Sequence, residues 1–201
     1  MLDDNTGEIK GEAVEAARAV AAKCQTSLKF VISPAWSRAY RMAVDGTTDG
    51  LLPTIASPER RKSLAFPVQP LIQMEMALIS KKNDVELQYT GLAMLDRKRV
   101  GKLAGGLVTD DFEAYIRSNE VVVFQRHSYL SLLENLIRDR LDFIAGGQKV
   151  FQYYADEYGF EDKLQTLKPA LGEIPQYFAL SKKGITEHPD SSAMYGCLIG
   201  Q

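Results

Sequence analysis

Apolar residues recur at helical spacing between Gly11 and Lys23: Val14, Ala17, Val20, Ala21 and Cys24 fall on one face, and Glu12, Glu15 and Arg18 lie elsewhere. That pattern predicts an amphipathic helix. Before it, Asn5-Thr6-Gly7 predicts a short hairpin, and after it Leu28-Lys29-Phe30-Val31-Ile32 predicts a strand. Ser33-Pro34 then reads as an N-cap followed by proline at the first helical position, opening a helix that carries Trp36, Arg38, Ala39, Met42 and Ala43 and stops at Gly46. Gly50-Leu51-Leu52 predicts a short strand, and Ser57-Pro58-Glu59-Arg60 is a second helix start of the same kind.

The alternation continues through the middle of the chain. Arg99 to Leu103 predicts a strand, and Thr109 caps a helix through Phe112, Tyr115 and Ile116. Val121-Val122-Val123-Phe124 is an apolar run of the kind buried on both faces of a sheet. Ser128 caps a helix with Leu130, Leu133, Leu136 and Ile137 on one side; Leu141 to Ala145 predicts a strand ending at Gly146-Gly147; a last helix holds Val150, Phe151, Tyr154 and Tyr158 and stops at Gly159. Strands and helices alternating at this length predict an α/β fold with mixed, mainly parallel sheets. One short echo stands out: Ala-Leu-Ile-Ser-Lys-Lys at 77–82 and Ala-Leu-Ser-Lys-Lys at 179–183 bracket the middle α/β region. Either it is coincidence in a chain with many lysines, or it marks two connecting strands, one leaving a lobe and one returning to it.

Composition narrows the function classes. With 201 residues, 45% hydrophobic and 25% charged, the chain has the make-up of an ordinary globular protein. A net charge of -2 gives no electrostatic reason to expect nucleic acid. No apolar run approaches the roughly 18 residues of a membrane span. Met1-Leu2-Asp3-Asp4 is acidic where an export signal would be basic and then apolar, so the expectation is a cytoplasmic protein, a trimmed chain or a start placed late. Cys24 and Cys197 form no metal spacing, and their positions alone do not decide whether they pair. His127 and His188 lack partner clusters and read as surface or capping residues; no metal and no cofactor is expected.

Several segments in order resemble the periplasmic solute-binding proteins of family 3, the polar amino-acid ABC transporter type. These are Gly11 to Ala22, Pro34-Ala35-Trp36-Ser37-Arg38-Ala39, Gly46-Thr47-Thr48-Asp49-Gly50, Ser57-Pro58-Glu59-Arg60 with Phe66-Pro67, Gly105 to Thr109, and Leu141-Asp142-Phe143. The resemblance implies a type II periplasmic binding protein-like fold. Lobe one would be residues 1–76 with 177–201, lobe two residues 77–176, with a two-strand hinge and a ligand held between the lobes. It further implies a periplasmic protein that hands a small solute to the membrane permease of an ABC transporter.

The candidate ligand-binding residues follow from the same resemblance. Arg60 matches the arginine that holds a ligand carboxylate, a task suited to a planar guanidinium, and Ser57 opens the helix start beside it, adding backbone N–H groups and a positive dipole end. Arg61 and Lys62 read as a solvated basic run. Thr109 could present its hydroxyl to an anion or serve only as a cap; Trp36 is an aromatic wall of the site or core; Arg38 serves ligand or structure equally. Departures limit the substrate. Ala145-Gly146-Gly147-Gln148 has no acidic residue where amino-acid binders hold the ligand's ammonium, so an anionic or less charged molecule is as open as an amino acid. The family's opening strand is expected to be missing, and Gly184 to Gln201 is expected to lack the closing helix, leaving a lobe-one strand edge for self-association. No catalytic residue is expected, because no acid or base is placed for the dehydratase-like chemistry some relatives perform. A sensory module and a degenerate, non-binding copy remain the alternatives to transport.

Overall fold

The computed structural model describes residues 9–33, 35–83 and 87–199; the predicted hairpin at Asn5-Thr6-Gly7 and Pro34 lie outside them. By contact density the described chain forms two compact units: one comprises residues up to Gln73 and from Pro175 onward, the other Met74–Ile174.

In the first unit, α1 (Glu12–Lys23) forms as the spacing predicts, burying Val14, Ala17 and Ala21. Leu28 to Ile32 does not form a strand. It has no ladder partner among the described residues; Leu28 and Phe30 lean on the core while Val31 and Ile32 are 58% and 48% exposed. Strand propensity alone cannot supply the hydrogen-bonding neighbour that a strand requires. Helix α2 (Trp36–Val44) starts after Ala35 with no side-chain cap, since Ser33 donates its hydroxyl to the Ala35 carbonyl instead. Gly46 follows its end with φ of 74°, the left-handed turn that suits glycine.

Strand β1 (Gly50–Thr54) and β2 (Leu64–Ala65) both run antiparallel to β8 (Gly172–Ser181). Leu180 faces Gly50 on one side and Ala65 on the other, so β8 is the middle strand of the three. Side chains of a strand alternate between faces, and β8 uses both. Phe178 and Leu180 bury against Ala17 and Ala21 of α1, with Met194 and Leu198; Ala179 and Tyr177 face Ala43, Leu51, Leu64 and Phe66. The C-terminal segment departs from expectation by being helical. In α6 (Lys182–Glu187) the Ser181 hydroxyl caps the Gly184 N–H, and α7 (Pro189–Ile199) begins on a proline. Ser191, Met194 and Leu198 recur at three- and four-residue spacing to bury one face, a stripe too rich in small residues to read as amphipathic. Cys24, at the end of α1, forms a disulfide with Cys197 of α7.

The second unit is built on four strands in the order β3 (Ile72–Lys81), β6 (Phe143–Gly147), β4 (Arg99–Leu103) and β5 (Val122–Arg126), with β7 (Leu164–Thr166) also paired to β3. β4 runs parallel to β5 and β6, while β3 is antiparallel to β6 and β7. β5 is not buried on both faces: among the described residues it pairs only with β4, and Val122 is 49% exposed. Helices α3 (Asp110–Ser118) and α4 (Tyr129–Ile137) are capped by the hydroxyls of Thr109 and Ser128, as their sequence predicts. Leu132, Leu133 and Leu136 of α4, Phe151 of α5 (Gln148–Glu157), Ile79, Leu141 and Ile144 form the core. Burial pushes the Tyr129 hydroxyl up to about 12.

The chain passes between units twice, at Gln73–Met74 within β3 and at Ile174–Pro175 within β8. The echoed segments 77–82 and 179–183 lie beyond those passages, across the far ends of the two strands. No helix among the described residues is long and apolar enough to cross a membrane.

Candidate functional site

The first unit brings three of the candidate residues together. Ser57-Pro58 does not open an α-helix; it leads into a single 3-10 turn, Arg60–Lys62, in which the Arg60 N–H donates to the Ser57 hydroxyl at 3.2 Å. The turn ends early because Leu64 and Ala65 are drawn into β2, where both are buried. One turn stacks too few peptide dipoles to provide the positive helix end expected there.

What the turn does provide is direction. Arg60 points inward and is 5% exposed. Its Nη1 donates to Thr54 Oγ1 at 3.1 Å and to the Ile55 carbonyl at 2.9 Å. Its guanidinium carbon lies 4.2 Å from the centroid of the Trp36 ring. Trp36 in turn stacks on Tyr40 one helical turn along, with centroids 5.3 Å apart and planes within 9°. Trp36 therefore meets the arginine itself. Arg61 and Lys62 face outward, as the sequence suggests: Lys62 pairs with Glu59 at 2.6 Å, and Arg61 lies over Phe66. Arg38 is exposed and shares no described contact with this group; two residues along a helix turn it about 200° away from Trp36.

Thr109 belongs to the second unit. Its hydroxyl accepts the Phe112 N–H at 3.2 Å, and Asp110, Asp111 and Glu113 already occupy the first turn of α3. Beneath that turn lies a buried ion pair that sequence reading missed: Lys102 of β4 bonds the Glu113 carboxylate, whose Oε1 also accepts the Val108 N–H at 3.0 Å. The only signal was a lysine on the same strand face as the fully buried Val100. At the start of α5, where the resemblance leads one to expect an acidic residue, the Lys168 ammonium lies 3.1 Å from Gln148 Oε1 and 3.3 Å from Glu75 Oε1.

Asp49, singled out only as part of a motif, anchors the C-terminal helices of the first unit. Its Oδ1 meets the Ser191 hydroxyl and lies 2.7 Å from His188 Nδ1; the Ser191 hydrogen bond first, then that of His188, holds its carboxyl below the ordinary value. Both neighbours bond the carboxylate rather than each other, so this is no nucleophile–base relay. Among the described residues no group of three or more His, Cys, Asp or Glu could hold a metal ion.

A mixed α/β chain that passes twice between two compact units has the periplasmic binding protein-like fold, and solved structures agree. An arginine-bound, truncated form of ArgBP from T. maritima matches with a TM-score of 0.76 and 18% identity, covering 98% of this chain and 88% of that one. A histidine kinase sensor domain with similarity to periplasmic binding proteins matches at 0.77 and 18%, covering 98% and 82%. The substrate-binding protein of an amino acid ABC transporter matches at 0.72 and 19%, covering 98% and 84%. No curated protein sequence matches the chain. The model of the bacterial extracellular solute-binding proteins, family 3, matches residues 1–173, and the chain belongs to that family.

Proposed function

We propose that this protein is an extracytoplasmic, periplasmic binding protein for a small polar or anionic solute, serving an ABC-type permease, with Arg60 as the group that takes the solute's carboxylate. The observation that carries this reading is a buried guanidinium oriented by Thr54, Ile55 and Trp36 in a member of a solute-binding family. A cation with its orientation already fixed gives up little conformational freedom when it binds a carboxylate. Ser57 contributes by shaping the turn that aims Arg60. Arg38, on another side of α2 from Trp36, and Thr109, whose hydroxyl caps α3, are not assigned to the Arg60 group.

The test is a thermal-shift screen against amino acids, L-arginine among them, and small carboxylates, followed by titration calorimetry on each hit. A ligand of the folded state raises the melting temperature by mass action. Arg60→Ala is expected to weaken binding of a carboxylate hit by about tenfold to a hundredfold, consistent with the loss of a charge-assisted pair. Unchanged affinity in a folded Arg60→Ala variant sinks the assignment. The sensor-domain neighbour favours a second reading, a sensory module of the same fold. Co-purification with a permease rather than a kinase separates the two.

A further inference from the structure

By sequence Trp36 is a wall for ligand or core; its contact with Arg60 gives it a different task. We propose that Trp36 is a positioning residue, whose indole face holds the Arg60 guanidinium at the angle in which it meets a carboxylate. This rests on the reading of Arg60 given above as far as ligand is concerned, but the positioning itself can be tested without one.

The described contacts meet the guanidinium both along its plane and across its face. Hydrogen bonds from Nη1 to Thr54 Oγ1 and the Ile55 carbonyl fix rotation within its plane. The indole, 4.2 Å from the guanidinium carbon, acts on its face, since a cation is drawn to the π face of a ring and loses that attraction as it moves off it. The ring is itself held by its stack on Tyr40. α2 has no side-chain cap at its first turn, so the contact with Arg60 also ties down the helix end on which Trp36 sits. Arg60 and Trp36 are 24 positions apart in the chain, and nothing in the local pattern of either foretells the pair.

The test uses the Arg60 Nε–H resonance in the full chain, assigned by its loss in Arg60→Lys. In the parent protein, the indole ring current should displace this signal from those of exposed arginines such as Arg38, and its exchange with water should be slow. In Trp36→Leu it should move back among them; in Trp36→Phe, which restores a ring face, it should recover part of the displacement. Trp36→Phe also serves if the leucine variant does not fold. Sodium acetate, titrated against sodium chloride as the ionic-strength control, is the carboxylate probe. Its midpoint at the Arg60 signal should weaken by about fivefold or more in Trp36→Leu, in line with loss of a buried cation–π contact. An Arg60 signal that stays displaced and slowly exchanging in Trp36→Leu overturns the positioning role. A signal that shifts with Trp36 substitution, but ignores acetate in the parent chain, leaves positioning intact and overturns the carboxylate reading of Arg60.

Discussion

Lys102 and Glu113 lie where water hardly reaches, with side chains 7% and 12% exposed, and each is tolerated because the other is there. Glu113→Leu strands an ammonium in the second unit and removes the acceptor of the Val108 N–H, so it should cost about 3–5 kcal/mol in urea unfolding. Lys102→Met with Glu113→Leu, which removes both charges, should cost clearly less. The Asp142 carboxyl carries a different prediction. Its hydrogen bonds from Arg99 hold it below the ordinary value of 3.8. The unfolded chain therefore takes up this proton at higher pH than the folded one. The contribution is complete above the ordinary value and disappears as pH falls through the lowered one. Asp142→Asn should melt lower than the parent near neutrality, with the difference closing below about pH 4; melts between neutral and acid pH check this. At this scale the caps were legible, because Thr109 and Ser128 act within three residues of themselves. Which of Arg60, Arg61 and Lys62 turns inward was not legible from chemistry alone. All three are long cations, and the choice is made by Thr54, Ile55 and Trp36, whose approach depends on the fold.

Elements were legible where their signal is local and illegible where they depend on a neighbour. α1, α3, α4 and α5 follow from periodicity and caps, whereas Leu28 to Ile32 has strand composition and, among the described residues, no strand beside it. β5 has the composition of a buried strand but sits at the edge of its sheet, a fact of strand order. α7 was hidden for the opposite reason: its buried face uses Ser191 and is pinned by Cys197, so a covalent bond does part of what apolar area does elsewhere. The pairing of β1 with β8 sets the prediction at this scale. A side chain at Gly50 would place its Cβ 2.8 Å from the Ala179 carbonyl and 2.7 Å from the Phe178 ring. The carbonyl belongs to the middle strand and cannot step aside cheaply. Gly50→Ala should therefore destabilise the protein by about 1–3 kcal/mol, read as a fall in denaturation midpoint.

For the whole molecule, the covalent link between Cys24 and Cys197 spans 173 positions of chain. Cross-linking so distant a pair restricts the unfolded chain strongly. Cys24→Ser with Cys197→Ser should cost about 2–5 kcal/mol, and dithiothreitol should lower the melting temperature of the parent chain but not of the double variant. Equal melting of parent and variant, or two titratable thiols in the unreduced protein, would count against the bond.

The division of the first unit into two stretches of chain has a consequence for how the protein is made. Met74–Ile174 is a continuous stretch with its own core, so it can fold while synthesis is still under way. The first unit cannot: Ala17 and Ala21 need Met194 and Leu198, and β1 and β2 need β8. During translation the stretch from α1 to β2 must therefore wait, with the apolar face of α1 open and Cys24 without its partner, until α7 emerges. That interval is when the chain is most exposed to aggregation and to a wrong thiol, and when a holding chaperone would do most for its yield.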